Sequence, residues 1–214
     1  MVLIFDAANT LIYKPALYVN FQTVLLRHGF AVNINNLIKN HTILLHAIEF
    51  PDTTSQTFYF NFNKEILYSL GIVPSEVMLD ELFKECSYLD WEVYADTSVL
   101  KELPYEMGVA SNFNKGLEGV LNIHFQDKFK YKLISENVNY RKPDIRFYEH
   151  LLADWNLDPK DILYIGDSIK LDVEPAMKLG INAYLIDRNN YFPFVEKRIK
   201  TLHELPNLIA RINE

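Results

Sequence analysis

Met1-Val2-Leu3-Ile4-Phe5-Asp6-Ala7-Ala8-Asn9-Thr10 decides how the rest of the chain is read, because an apolar run with no polar interruption stops abruptly at a carboxylate. A short, fully apolar strand suits a parallel sheet covered on both faces, and ligands of such sheets collect beyond the carboxyl ends of the strands. Asp6 therefore falls where chemistry is expected, although an acid there also suits a plain turn cap. Working outward, from Tyr105 onward short apolar runs alternate with helical stretches. The runs are Met107 to Ala110, Leu133-Ile134, Ile162 to Ile165 and Ala183 to Ile186, with candidate helices near 114–123, 144–155, 172–179 and 203–211. That alternation predicts the α/β class with a doubly wound parallel sheet.

Between the first strand and this region the pattern is helical. Pro15 fits the first turn of a helix ending near Gly29, and Asn33 is placed to cap a second that Pro51 ends. A third starts around Asp52 to Ser55 and ends at Gly71, and a fourth opens at Pro74-Ser75 and runs towards Asp90. The expected organisation is a sheet domain from residues 1–13 and 96–214, with an all-helical domain of residues 14–95 inserted after the first strand. No internal repeat or low-complexity tract interrupts it.

Composition narrows the function classes. A chain of 214 residues with 49% hydrophobic and 23% charged residues has the ordinary make-up of a globular protein with a full core. The net charge of −7 disfavours nucleic acid and anionic membrane as partners, since both are held by clustered Lys and Arg. The one cysteine, Cys86, permits no intrachain disulfide, fits a reducing compartment and is expected to pack. No basic segment precedes the opening apolar residues and no stretch approaches the ~18 apolar residues of a membrane span, so a cytoplasmic protein is expected.

Three later stretches bear on Asp6. Gly108-Val109-Ala110-Ser111-Asn112 ends a strand in a hydroxyl and an amide, which alone is also the commonest kind of loop. Lys142, just before Pro143, reads alone as a surface lysine. Ile162-Leu163-Tyr164-Ile165-Gly166-Asp167-Ser168 is a second apolar strand ending in a carboxylate, with Asp172 five residues later, although both acids also suit turn and helix caps. Acids converging at one sheet edge need a cation between them, and oxygen-only ligands with room for water and phosphate suit Mg²⁺.

Taken in order, Asp6-Ala7-Ala8-Asn9-Thr10, Ser111, Lys142 and Gly166-Asp167-Ser168 with Asp172 resemble the motifs of the haloacid dehalogenase superfamily, in its branch with a helical (C1-type) cap after the first strand. The resemblance runs from residue 4 to about residue 186; each motif is weak alone, and four in order at strand ends are specific. It implies a Rossmann-like core and a hydrolase, phosphatase-like, acting on a small phosphorylated molecule, as a monomer or homodimer. Asp6 would be the nucleophile that forms an aspartyl phosphate. Ser111 would hydrogen-bond the phosphoryl oxygens with Asn112 beside it, and Lys142 would neutralise charge on Asp6 and phosphate. Mg²⁺ would be held by Asp6, the carbonyl of Ala8 and Asp167, with Asp172 supporting it directly or through Lys142. Cap movement across the loops near 11–14 and 95–98 is the expected gate for water.

Two positions depart from the family pattern. Ala8 stands where the family's phosphatases have a second aspartate as general acid and base, a loss that typically costs ~10²–10⁴ in rate. Asn9 stands where glycine is usual, a milder change because Asn tolerates left-handed backbone. Three readings remain open: a phosphohydrolase that uses another donor such as His41 or His46; a branch without that aspartate; and a phosphate-ligand or partner-binding protein without turnover. The second covers phosphonatase-like chemistry on Lys39 or Lys64 and dehalogenase-like chemistry on Arg27. The aromatic stretch Phe58-Tyr59-Phe60-Asn61-Phe62 suits helix packing or a substrate wall.

Overall fold

In a computed structural model, which describes residues 1–48, 51 and 54–213, the opening apolar run becomes β1 (Val2–Phe5), buried at every position. Having no polar face, it lies inside the sheet. It pairs in parallel with β4 (Glu106–Ser111) on one side and β6 (Ile162–Gly166) on the other, Phe5 standing opposite Val109 and Ile165. β5 (Tyr131–Ile134), β7 (Asn182–Ile186) and β8 (Arg198–Ile199) complete a six-stranded parallel sheet in the order β5-β4-β1-β6-β7-β8. The doubly wound α/β fold expected from the alternation is the fold observed. This register brings the ends of β1, β4 and β6 to one edge, and the Asp6 N–H continues the ladder onto the Ile165 carbonyl at 2.9 Å.

Helices α5 (Gly116–Phe125), α6 (Ser135–Val138), α7 (Ile145–Trp155), α8 (Glu174–Lys178) and α9 (Leu205–Asn213) connect and cover the strands. Asp144 caps α7 by accepting from the Arg146 N–H at 3.0 Å. The core packs Phe147, Tyr148 and Leu151 of α7 and Ala176 of α8 against Val2, Ile4, Ile162 and Tyr164 of the sheet. The single helix expected at 172–179 is instead a π-helical turn, Ile169–Val173, running into α8. The helical spacing does not reveal that turn, in which the Val173 N–H reaches back five residues to the Ser168 carbonyl at 3.1 Å.

The chain divides into two compact units, Met1–Tyr13 with Val93–Glu214, and Lys14–Glu92. The second contains α1 (Leu17–Arg27), α2 (Ile34–Ala47), α3 (Gln56–Ser69) and α4 (Glu76–Cys86). Gly29 follows α1 at φ +85°, a conformation that favours glycine. Asn33, Ser55 and Ser75 cap α2, α3 and α4 through their side chains. The Asp52 end of the expected third helix lies outside the described residues. These four helices enclose a separate core of Phe21, Leu25, Leu37, Phe62, Ile66 and Leu82. Cys86 packs here half-buried, its thiol pushed up to about 12 by burial.

Residues 14–95 are not helix throughout. β2 (Ile12–Tyr13) pairs with β3 (Glu92–Val93), and a 3₁₀ helix follows at Ala95–Lys101. Two-residue strands are too short to give a periodic signal, and β8 went unread for the same reason.

Candidate active site

Asp6, the first residue beyond β1, is 5% exposed. The loop after it closes tightly: the N–H groups of Leu11 and Ile12 both reach the Ala7 carbonyl, at 2.8 and 3.0 Å, and the Asn9 N–H reaches Ile12 at 2.7 Å. Asn9 completes this turn at φ +59°, so the residue in place of glycine holds the left-handed backbone. Ala8 presents a methyl group where an acid would stand.

At the end of β4 three consecutive residues point three ways. The Ala110 carbonyl accepts from the Tyr164 hydroxyl at 3.1 Å. Ser111 donates to Asp6 Oδ1 at 3.0 Å. Asn112 grips the backbone of Lys142, its amide donating to the Lys142 carbonyl and accepting from the Lys142 N–H, both at 2.8 Å. Both ends of that amide are thus engaged, leaving the Asn112 backbone for any contact with an anion.

Lys142 is 3% exposed and points inward, its ammonium 2.6 Å from Asp6 Oδ1 and 2.6 Å from Asp172 Oδ1. Asp172, carried by the π turn, also accepts at Oδ1 from the Tyr164 hydroxyl at 3.1 Å and at Oδ2 from the Ser168 N–H at 2.9 Å. It comes this close to β6 because residue 166 is glycine: a Cβ there would lie 2.5 Å from Asp172 Oδ2. Asp6, Asp167 and Asp172 each offer a carboxylate oxygen, and these oxygens lie within 4.8 Å of one another.

The electrostatics follow from that crowding. Burial pushes the Asp6 carboxyl up, Lys142 pulls it back down, and Asp172 adds repulsion. Asp167, half-buried, is raised above the usual carboxylate value by burial and by the charges of Asp6 and Asp172. Burial works against the Lys142 ammonium, but Asp172 and Asp6 outweigh it and raise its pKa. Three carboxylates against one ammonium leave the cluster short of two positive charges when all are ionised. An all-oxygen donor set with that deficit fits a hard divalent cation.

The sequence matches the haloacid dehalogenase-like hydrolase family model over residues 54–186. The chain belongs to that family. As a haloacid dehalogenase-like hydrolase it is 31% identical over 146 residues to the Danio rerio haloacid dehalogenase-like hydrolase domain-containing protein 3, a match covering 64% of this chain and 60% of that protein. Over 84 residues it is 29% identical to the glyceraldehyde 3-phosphate phosphatase of Pyrococcus abyssi, covering 38% of this chain and 35% of that protein. Among solved structures, a magnesium-bound HAD-hydrolase from Bacillus subtilis shares the fold with a TM-score of 0.66 at 14% identity, covering 98% of both chains.

The other candidates sit in the helical unit of this hydrolase. Arg27 pairs with Glu85 at 3.4 Å and Glu81 at 3.8 Å. His41, edge-on to Tyr18 and Phe62, has its pKa pushed down to about 4 by burial, which disfavours the imidazolium form. His46 and Lys64 are half-buried and Lys39 is exposed. Phe58 and Phe62 stack on each other within the helical core. Among the described residues no helix is long and apolar enough to cross a membrane. The sequence reading missed Tyr164, a buried strand residue hidden in an apolar run, whose position two before Gly166 was the one available signal.

Proposed function

We propose that this hydrolase is a Mg²⁺-dependent phosphohydrolase acting on a small phosphorylated molecule through an aspartyl phosphate on Asp6. The observation that carries the reading is the inward Lys142 ammonium, 2.6 Å from Asp6, where two anions must otherwise be driven together. Among the described residues both side-chain contacts to the Asp6 carboxylate fall on Oδ1, which leaves Oδ2 for phosphorus or metal.

Asp6 attacks phosphorus, the bond to the leaving oxygen breaks, and water then hydrolyses the acyl phosphate, so one hard displacement becomes two. Ser111 and the Asn112 backbone line the phosphoryl oxygens, and Lys142 balances their charge. Asp6, Asp167 and the Ala8 carbonyl would hold Mg²⁺, with Asp172 supporting it directly or through Lys142, and the ion would supply the missing positive charge. The Pyrococcus abyssi glyceraldehyde 3-phosphate phosphatase supports a small phosphorylated metabolite as substrate class.

Ala8 favours a second reading, in which a phosphoryl ligand is bound or accepted without ester hydrolysis, since the leaving oxygen has no donor there. One experiment separates the two: turnover of p-nitrophenyl phosphate and acetyl phosphate with and without Mg²⁺, followed by mass spectrometry of Asp6. Metal-dependent turnover of acetyl phosphate with a labelled Asp6 is expected. No turnover of either compound together with an unlabelled Asp6 removes the catalytic reading.

A further inference from the structure

Lys142 carries three ammonium N–H groups, and three acceptors surround them: Asp6 Oδ1 and Asp172 Oδ1 at 2.6 Å, and the Tyr164 hydroxyl at 3.4 Å. Tyr164 is fully buried on β6, where a core position asks only for an apolar ring. Its hydroxyl instead meets three polar groups. It accepts from Lys142 and has one proton for two acceptors at 3.1 Å, the Ala110 carbonyl and Asp172 Oδ1. Those partners lie on β4, on the π turn and in the 139–144 loop.

Beneath it Tyr148, its ring 5.9 Å from that of Tyr164, donates to the Leu171 carbonyl and ties α7 to the turn that carries Asp172. At the other end of the lysine, Asn112 fixes the backbone N–H and carbonyl at 2.8 Å. The side chain is long and flexible, so holding one end leaves its reach free, whereas holding both fixes where the charge sits.

We infer that Tyr164 and Asn112 are positioning residues that lock Lys142, Tyr164 at the ammonium and Asn112 at the backbone, so that its charge faces a phosphoryl group on Asp6. The inference rests on the phosphohydrolase reading above. Neither residue reaches the reacting atoms through its side chain; each acts through Lys142. Supporting groups one contact removed from a site typically change its affinity by about 10–100-fold, and displacing a reacting group by about 1 Å costs about as much.

The test uses the full chain with Mg²⁺ and beryllium trifluoride, a phosphoryl mimic, and reads affinity by ¹⁹F NMR well below the melting temperature, alongside kcat and KM on acetyl phosphate. Tyr164→Phe, which deletes only the hydroxyl, is expected to weaken the mimic about tenfold and to lower kcat more than it raises KM. Asn112→Ala, at a half-buried position, is expected to do the same and serves if the phenylalanine variant does not fold. Lys142→Met abolishes binding. If both variants bind the mimic as the parent does while Lys142→Met does not, the two residues are structural and the inference is overturned. If the parent itself binds no mimic, the phosphoryl reading fails and takes this inference with it.

Discussion

Ala8 is the residue on which the chemistry turns. Beside it Asn9 stands at φ +59° and Asp6 is buried against Lys142, so on the proposed phosphohydrolase reading the loop lacks a proton donor. Restoring one by Ala8→Asp is expected to raise turnover of p-nitrophenyl phosphate by about a hundredfold, the lower end of what a general acid contributes. An unchanged kcat would mean that another group already does that work or that the site fails elsewhere. The departures at Ala8 and Asn9 were legible in the sequence, because each concerns a single residue at a fixed distance from Asp6. Tyr164 was not: a tyrosine in an apolar strand reads as core until the ammonium across the sheet edge is seen.

At the scale of an element, β6 and the π turn after it act as one piece. Gly166 ends the strand without a side chain, and Asp172 returns into that space to receive Lys142 and the Ser168 N–H. Gly166→Ala is therefore expected to destabilise the protein by about 2 kcal/mol, as overpacking does, and to weaken beryllium trifluoride binding because Asp172 and Lys142 shift together. Urea unfolding and ¹⁹F NMR check the two effects; a variant with unchanged stability and affinity would show that the turn relaxes freely. The sequence shows the glycine at the end of the apolar run. It did not reveal the π turn, since one extra residue within a helical stretch leaves the apolar spacing almost unchanged.

Across the whole molecule, residues far apart in sequence meet at Asp96. Its carboxylate takes Arg188 at 2.5 Å, the Thr201 hydroxyl at 2.7 Å and the Leu202 N–H at 2.8 Å, while Arg188 also donates to the Thr10 carbonyl at 2.8 Å. Burial alone would raise the Asp96 carboxyl, but Arg188, Leu202 and Thr201 together hold it below the usual range. A depressed carboxylate contributes stability above its unfolded value of 3.8 and loses it as pH falls through the lower folded value. Asp96→Ala leaves Arg188, 18% exposed, without its counter-charge and is expected to cost about 3 kcal/mol at pH 7. The deficit should shrink below pH 3.8, where the parent loses the same interaction. Denaturant unfolding at both pH values measures this, and an equal deficit at each would show that the loss is one of packing.

The sequence by itself determined the parallel sheet, the helical stretch inserted after the first strand, and the acids at the ends of β1 and β6. Each is written in local hydrophobicity or in a residue's place at the end of an apolar run, and burial of apolar surface acts on such patterns wherever they lie. Only the tertiary structure decided that Lys142 faces inward, that Asn112 grips its backbone and that Tyr164 meets its ammonium. Those contacts join residues 22 to 136 positions apart, and a hydrogen bond depends on distances of tenths of an ångström that no local pattern encodes.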